Sequence, residues 1–245
     1  MIRFFRKIRY QLMSENKTSK YLKYAVGEIL LVVVGILIAL QVNNWNVNRV
    51  NQSSAKIYLE DLIREIESEV SNLNKVFISR YERKMNGLKS AKAYYEQPFQ
   101  VSDTLSFLNE ISYGAVASSG LEQFNRGVFE SLISTGTIGY IQKDLRSQIQ
   151  NHYSSSEVIS DLSQNQRSNY QNLVNGMRPF NPEAPKEMTK IDQIRYMKAL
   201  ETEEFIRQVN IELSNGMHNL QRANEIIDSA NNLISSITEY LNNND

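Results

Sequence analysis

The feature that most constrains this chain is the stretch YAVGEILLVVVGILIALQV, Tyr24 to Val42. As a helix its 19 residues cover roughly 28 Å, against a bilayer hydrocarbon thickness of about 30 Å. Only Glu28 and Gln41 within it are strongly polar. Charge is distributed unevenly around it. Residues 1–23 hold seven cations against one acid, Glu15, so that segment stands at +6 and the remainder at −6 in a chain of zero formal charge. No cation follows the stretch until Arg49, which is the positive-inside pattern for a cytoplasmic N-terminus. Tyr21 and Tyr24 at one end and Trp45 at the other stand where amphipathic rings favour the headgroup region. Gln41-Val42-Asn43-Asn44-Trp45 lacks the small-residue pattern of signal cleavage. Together these features read as an uncleaved signal anchor, with a cleaved signal and a buried core helix as the competing readings.

Ahead of the span, MIRFFRKIRYQLM places Phe4, Phe5, Ile8 and Leu12 on one helical face and Arg3, Arg6 and Lys7 on the other. That pattern predicts a helix lying in the interface, its cations on anionic headgroups; a basic tail without fixed structure is the alternative. Glu28 is costly inside a bilayer, about 2.5–3.5 kcal/mol on insertion scales, unless it snorkels or pairs with Lys20 or Lys23. At 100° per residue, Gly27, Glu28, Leu31, Gly35 and Ala39 fall on one side of the helix. Gly35 and Ala39 form a small-xxx-small pair that permits close helix approach. The expectation is homo-oligomerisation through this face. A hetero-partner, a lone anchor and an ion-handling role for Glu28 rank behind it.

The segment Gly27 to Trp45, GEILLVVVGILIALQVNNW, preceded by FFRKIR, resembles the signature of a bacterial family of single-span membrane proteins of unassigned function. The later stretch FESLISTGTIGYIQKDLRSQIQNHY, Phe129 to Tyr153, is similar to a second recurring segment of that family. The resemblance implies a bacterial inner-membrane protein with a helical domain outside the membrane, and brings no catalytic residue, cofactor or substrate.

Beyond the span the chain reads as all-α: segment 1–23 cytoplasmic or interfacial, helix 24–45 transmembrane, and 46–245 an elongated periplasmic helical bundle. Four prolines and ten glycines are few for a turn-rich β protein. Leu59, Ile63, Ile66, Val70, Leu73, Phe77, Tyr81, Met85, Leu88 and Ala91 form one stripe suited to a bundle or coiled coil, and Pro98 ends it. Asp103 is an N-cap for a shorter helix, Ser112–Gly120 a connector, and Leu121–Ser134 a helix burying Phe124, Val128 and Leu132. A turn at Ser134–Tyr140 sets Ile138 and Ile141 against the bundle. A helix from Lys143 to about Asn175 buries Leu145, Ile149, Tyr153, Val158, Leu162 and Tyr170. The segment 176–187, with Pro179, Pro182 and Pro185, reads as a connector, with a hinge or binding loop as the alternative. Helices Ile191–Leu213 and Met217–Leu241 complete the chain. The last carries a seam of Leu220, Ile227, Ala230, Ile234, Ile237 and Leu241 and pairs antiparallel with the first.

Candidate chemistry is sparse. There are no cysteines and two histidines, His152 and His218, neither in a ligand-pair spacing nor in an evident triad context. The STGTIGY stretch lacks the Gly-Lys-Ser/Thr ending of a phosphate loop. Glu60, Asp61, Glu65, Glu67 and Glu69 alternate with Arg64 as a solvated face. Arg80, Arg83 and Lys84 form a basic patch, read as solvated too. The expectation is therefore a protein that is not an enzyme, with no cofactor, metal or nucleic acid. Its partners would be the lipid bilayer, further copies of itself, and an unidentified membrane or periplasmic protein. A membrane-anchored interaction or scaffold protein leads. A ligand-sensing module acting through a partner comes second, because the cytoplasmic side has only about 23 residues, and a subunit of a channel or ion-driven complex third.

Overall fold

The computed structural model describes residues 10, 18–116, 120–122, 124–165, 169–178 and 181–243. The described residues are helical, with no strand among them. The expected interfacial helix at the N-terminus, with Arg3, Arg6 and Lys7, lies outside them, as do Pro179 and the side chains of Tyr21 and Tyr24. The chain divides into two compact units, Met1–Ala55 and Lys56–Asp245.

The first unit carries most of α1 (Thr18–Asn72). One helix is long and apolar enough to cross a membrane, with a mean hydropathy of 2.5 in its apolar window and none of that window buried. Its side chains from Ile29 to Val50 are turned outward; Leu31 is 61% exposed.

In the second unit the remainder of α1 leads into a π-turn, Leu73–Ile78, and then α2 (Ser79–Glu96). Next come α3 (Thr104–Val116), α4 (Gly127–Ser134), a 3-10 turn (Thr137–Tyr140), α5 (Lys143–Asn165), α6 (Tyr170–Met177), α7 (Lys190–Leu200) and α8 (Glu203–Asn243). Within this unit, α2 packs against α3 and α8, and α5 packs against α8. Partners climb α2 as they descend α8: Tyr81 meets Asn219, and Lys84 meets Glu212. The two segments therefore run antiparallel. One apolar cluster gathers Leu88, Leu108, Ile111, Tyr170, Tyr196 and Phe205; another joins Leu73, Leu121, Ala223 and Ile226.

Several elements differ from the sequence reading, each for a local reason. Ser112 does not begin a connector. It is buried, donates to Leu108 O at 2.7 Å and has its Oγ 3.2 Å from Tyr196 Oη, and α3 continues to Val116. The helix expected from Leu121 starts at Gly127, where Glu65 accepts from Val128 N at 2.8 Å and so serves an N–H that an N-terminal first turn leaves open. Val158 and Leu162 face solvent, and Ser156, Ser160 and Ser163 take the buried positions of α5. The break expected at Asn215-Gly216 falls instead at Glu201–Thr202. Gly216 stays within the helix and is buried against Met85, whose Sδ an added Cβ would meet. The buried line of α8 is Val209, Glu212, Gly216, Asn219, Ala223, Ile226, Ala230, Leu233 and Ile237, in strict steps of three and four. Leu220, Ile227 and Ile234 are its half-buried shoulder. Other expectations hold: Asp103 Oδ1 accepts from Ser106 N at 3.0 Å, α2 ends at Glu96, and Ile141 is buried behind the 3-10 turn.

Candidate functional site

The sites expected in the first unit are the least built. Gly27 and Gly35 have nothing within 4 Å of an added Cβ, and Leu31 and Ala39 are exposed. Glu28 is half-buried. Trp45 is 62% exposed and carries the Arg49 guanidinium 5.4 Å from its ring centroid. These residues share one helix, and none of them lines a described cavity.

The second unit holds a site that periodicity did not announce. Glu65 and Glu69, expected on a solvated face, are only 8% and 7% exposed, because they occupy the inner line of α1 with Leu59, Leu62, Ile66 and Leu73. Glu65 is well partnered: Tyr153 Oη donates to Oε1 at 2.7 Å and Val128 N to Oε2 at 2.8 Å. The Tyr153 ring is stacked on Phe129 with centroids 4.2 Å apart. Burial and the two carboxylates hold its phenol far above the usual range.

Glu69, one turn on, has no such support. Its Oε1 is buried without a hydrogen-bond partner, as is Nε2 of His152. The other oxygen, Oε2, stands 4.0 Å from that Nε2, beyond hydrogen-bond reach. Burial, with the neighbouring Glu65 charge second, pushes the Glu69 carboxyl up to about 7. Burial pushes His152 down to about 4, so its ring is neutral at physiological pH. On its other side, His152 Nδ1 lies 2.9 Å from Ser229 Oγ of α8.

Ser229, His152 and Glu69 thus form in space the serine–histidine–acid order that neither histidine shows in sequence. Its electrostatics are wrong for acyl transfer. The acid is half-protonated near neutrality, and Ser229 sits mid-helix in α8, where backbone N–H groups are engaged within the helix. An oxyanion hole needs such donors. Among the described residues no group of three His, Asp or Glu is placed to hold a metal ion.

What Glu69 does adjoin is a cavity of about 490 Å³, within the range of small-molecule sites. Its apolar wall is Leu73, Val76, Phe77, Leu121 and Phe124, and its polar lining includes Ser68, Asn72, Arg80 and Asn125. Two local irregularities open it. The first is the π-turn, which widens the backbone between α1 and α2 and puts Leu73, Val76 and Phe77 on the wall. Asn74 Nδ2 donates to Val70 O at 3.0 Å, giving that carbonyl a side-chain partner as the turn begins. π-turns inside α-helices recur at functional sites. The second is Gly120, with φ of +73° and its N–H donated to Tyr81 Oη at 3.1 Å. A Cβ there would meet Ser163 O at 2.8 Å, so only glycine fits the turn.

Below the cavity lies a second polar layer. Lys84 and Glu212 form a buried ion pair, and burial holds the lysine below its ordinary range against the pull of Glu212. Of the expected basic patch, Lys84 is therefore core, and Arg83 is paired with Glu110 at the surface, Nε to Oε2 at 2.9 Å. Only Arg80 is exposed on the cavity wall, with no ion pair among the described residues.

No curated protein matches the chain, and no solved structure does. The profile described as "Family of unknown function (DUF6090)" matches residues 28–157. The match starts within the apolar span and contains the π-turn, every residue named on the cavity wall, and His152. By that match, over more than half its length, the chain belongs to the DUF6090 family.

Proposed function

We propose that this protein is a membrane-anchored binding module for a small molecule. The observation that carries the reading is the 490 Å³ cavity with the buried, unpartnered Glu69 carboxyl in its lining. Buried polar atoms without partners are uncommon and costly, and Glu69 keeps one while its side chain lines a roomy, mostly apolar cavity. This favours the ligand-sensing reading over the scaffold. In the same reading the apolar helix is a single-pass anchor in a bacterial inner membrane, with the N-terminus cytoplasmic and the domain from residue 56 periplasmic. The charge asymmetry around the span supports that orientation. Copies associate through the Gly35/Ala39 face, where an added Cβ at Gly35 would meet open space. Glu69 and His152 act as binding groups in this reading, not as catalysts.

The test is thermal unfolding of the full-length protein in lipid nanodiscs with a panel of small aromatic fragments. Fragments that bind raise the midpoint. They should do so for wild type and lose the effect in Val76→Trp and Ser68→Trp, which place bulk on two sides of the cavity. A panel in which nothing binds, or in which hits survive both substitutions, removes the reading. Protease added outside intact spheroplasts tests topology. Cleavage after residue 50 is expected, and full protection alongside a digested periplasmic control would reverse the orientation.

A further inference from the structure

The chemistry of the cavity lining narrows the ligand. Three acids face it, Glu65 and Glu69 from α1 and Glu122 from the loop before α4, against one cation, the exposed Arg80. The other titratable groups packed around Glu69 bring no positive charge: Tyr81 and Tyr113 on the wall, and Tyr153 and the neutral His152 behind it. Nearby cations are already engaged. Lys84 is paired with Glu212 and Arg126 with Glu157, Nη1 to Oε2 at 2.7 Å. An anionic ligand would therefore meet like charge, whereas a cation would find in Glu69 a carboxylate to which no described side chain or backbone group donates. The donors do not converge as a metal site does. The wall, by contrast, is aliphatic and aromatic, with Phe77 stacked on Tyr81 at 4.2 Å between centroids.

We propose that the cavity takes a small organic amine with an apolar body, its ammonium group donating to the Glu69 carboxylate and its hydrocarbon lying among Leu73, Phe77 and Leu121. This rests on the binding-module reading above and assigns the ligand class to that site. The proton balance is simple. A ligand entering as the ammonium ion displaces the carboxyl proton of Glu69 to solvent, leaving an ammonium–carboxylate pair inside the cavity. His152 keeps its single ring proton throughout.

The experiment is isothermal titration of full-length protein in lipid nanodiscs at pH 6, with protein-free nanodiscs as the blank. The probes 2-phenylethylamine, 2-phenylethanol and ethylbenzene share one apolar body and differ at the polar end. Wild type should bind the amine at least about tenfold more tightly than the alcohol, since a charge-assisted bond exceeds a neutral one. In Glu69→Gln that margin should vanish while the alcohol changes by no more than about twofold. Amine binding should also release up to one proton, read from the dependence of the heat on buffer ionisation enthalpy, and the release should be absent in Glu69→Gln. If amine and alcohol bind wild type equally, the amine assignment falls and the binding-module reading stands. If no probe binds above the blank, or Val76→Trp leaves all affinities unchanged, both fall.

Discussion

The same helix, α1, buries opposite things in its two halves. In the first unit its apolar side chains face out, with Leu37 57% and Ile38 60% exposed. In the second, Leu59, Leu62 and Ile66 are fully buried, and so nearly are Glu65 and Glu69. Helical periodicity is common to both. What differs is the surroundings for which each is suited: hydrocarbon accepts leucine on every side, whereas a packed core penalises a carboxylate heavily for any partner it lacks. The first half is uniform, apolar and long enough to cross a membrane. The second is irregular, and its irregularities meet at the cavity: the π-turn, Gly120 and the acids Glu65 and Glu69.

The largest effects that would sharpen this contrast are in the core of the second unit. Lys84→Met leaves the Glu212 charge buried without its partner and should cost about 3–5 kcal/mol, with much of that recovered in Lys84→Met/Glu212→Leu. Leu88→Ala should cost about 2–5 kcal/mol, while Leu37→Ala in the span leaves the unfolding of the domain unchanged. Hydrogen exchange of α5 and α8 in the full-length protein reads all four variants. Equal sensitivity at Leu37 and Leu88 would break the comparison.

Next comes the dependence of stability on pH. Glu69 is raised from 4.5 to about 7, so the folded state holds its proton more tightly than the unfolded one. Its ionisation then costs stability progressively from pH 4.5 to 7, by about 3 kcal/mol in all. His152 is lowered from 6.5 to about 4, so its contribution is complete above pH 6.5 and is lost as pH falls toward 4. The two slopes oppose one another between pH 4.5 and 6.5. Wild type should be nearly flat there in urea unfolding followed by circular dichroism. His152→Gln should expose a decline with rising pH, and Glu69→Gln an increase. A smaller effect is expected at Gly120→Ala, about 1–3 kcal/mol from the positive φ and the Ser163 carbonyl. Smallest of all is Gly35→Leu. It should leave the domain's stability untouched and lower self-association measured by crosslinking in native membranes.

The all-helical class and the apolar span were legible from composition and periodicity, as were the paired stripes of α1–α2 and α8. The apolar stripe of the first segment also held a clue to the π-turn. Leu73, Phe77, Tyr81 and Met85 are three steps of four in a row, which overshoot three helical turns by about one residue. In the structure, the inner line passes from Leu59 through Leu62, Ile66 and Glu69 to Leu73 in steps of three and four. It resumes at Tyr81, eight residues on, and an i→i+5 turn absorbs the surplus.

The buried acids left no comparable mark. Glu65 and Glu69 stand among charged neighbours as surface residues do; Tyr153 and Val128, 88 and 63 residues away in sequence, partner Glu65, and His152 lies beside Glu69 without bonding it. Asn215-Gly216 misled for the converse reason: a pair that usually ends helices is here a point of close approach to Met85. Sequence reports local preference, and the site arises from contacts between distant segments.

The most direct test of the central claim is the stability of Glu69→Gln against wild type at pH 8, measured on the full-length protein. A carboxyl present for binding, at a cost to the fold, predicts that the amide variant is the more stable at pH 8, with the advantage disappearing at pH 4.5. A variant less stable than wild type at pH 8 would show Glu69 to be a structural group with partners of its own, and would contradict the account.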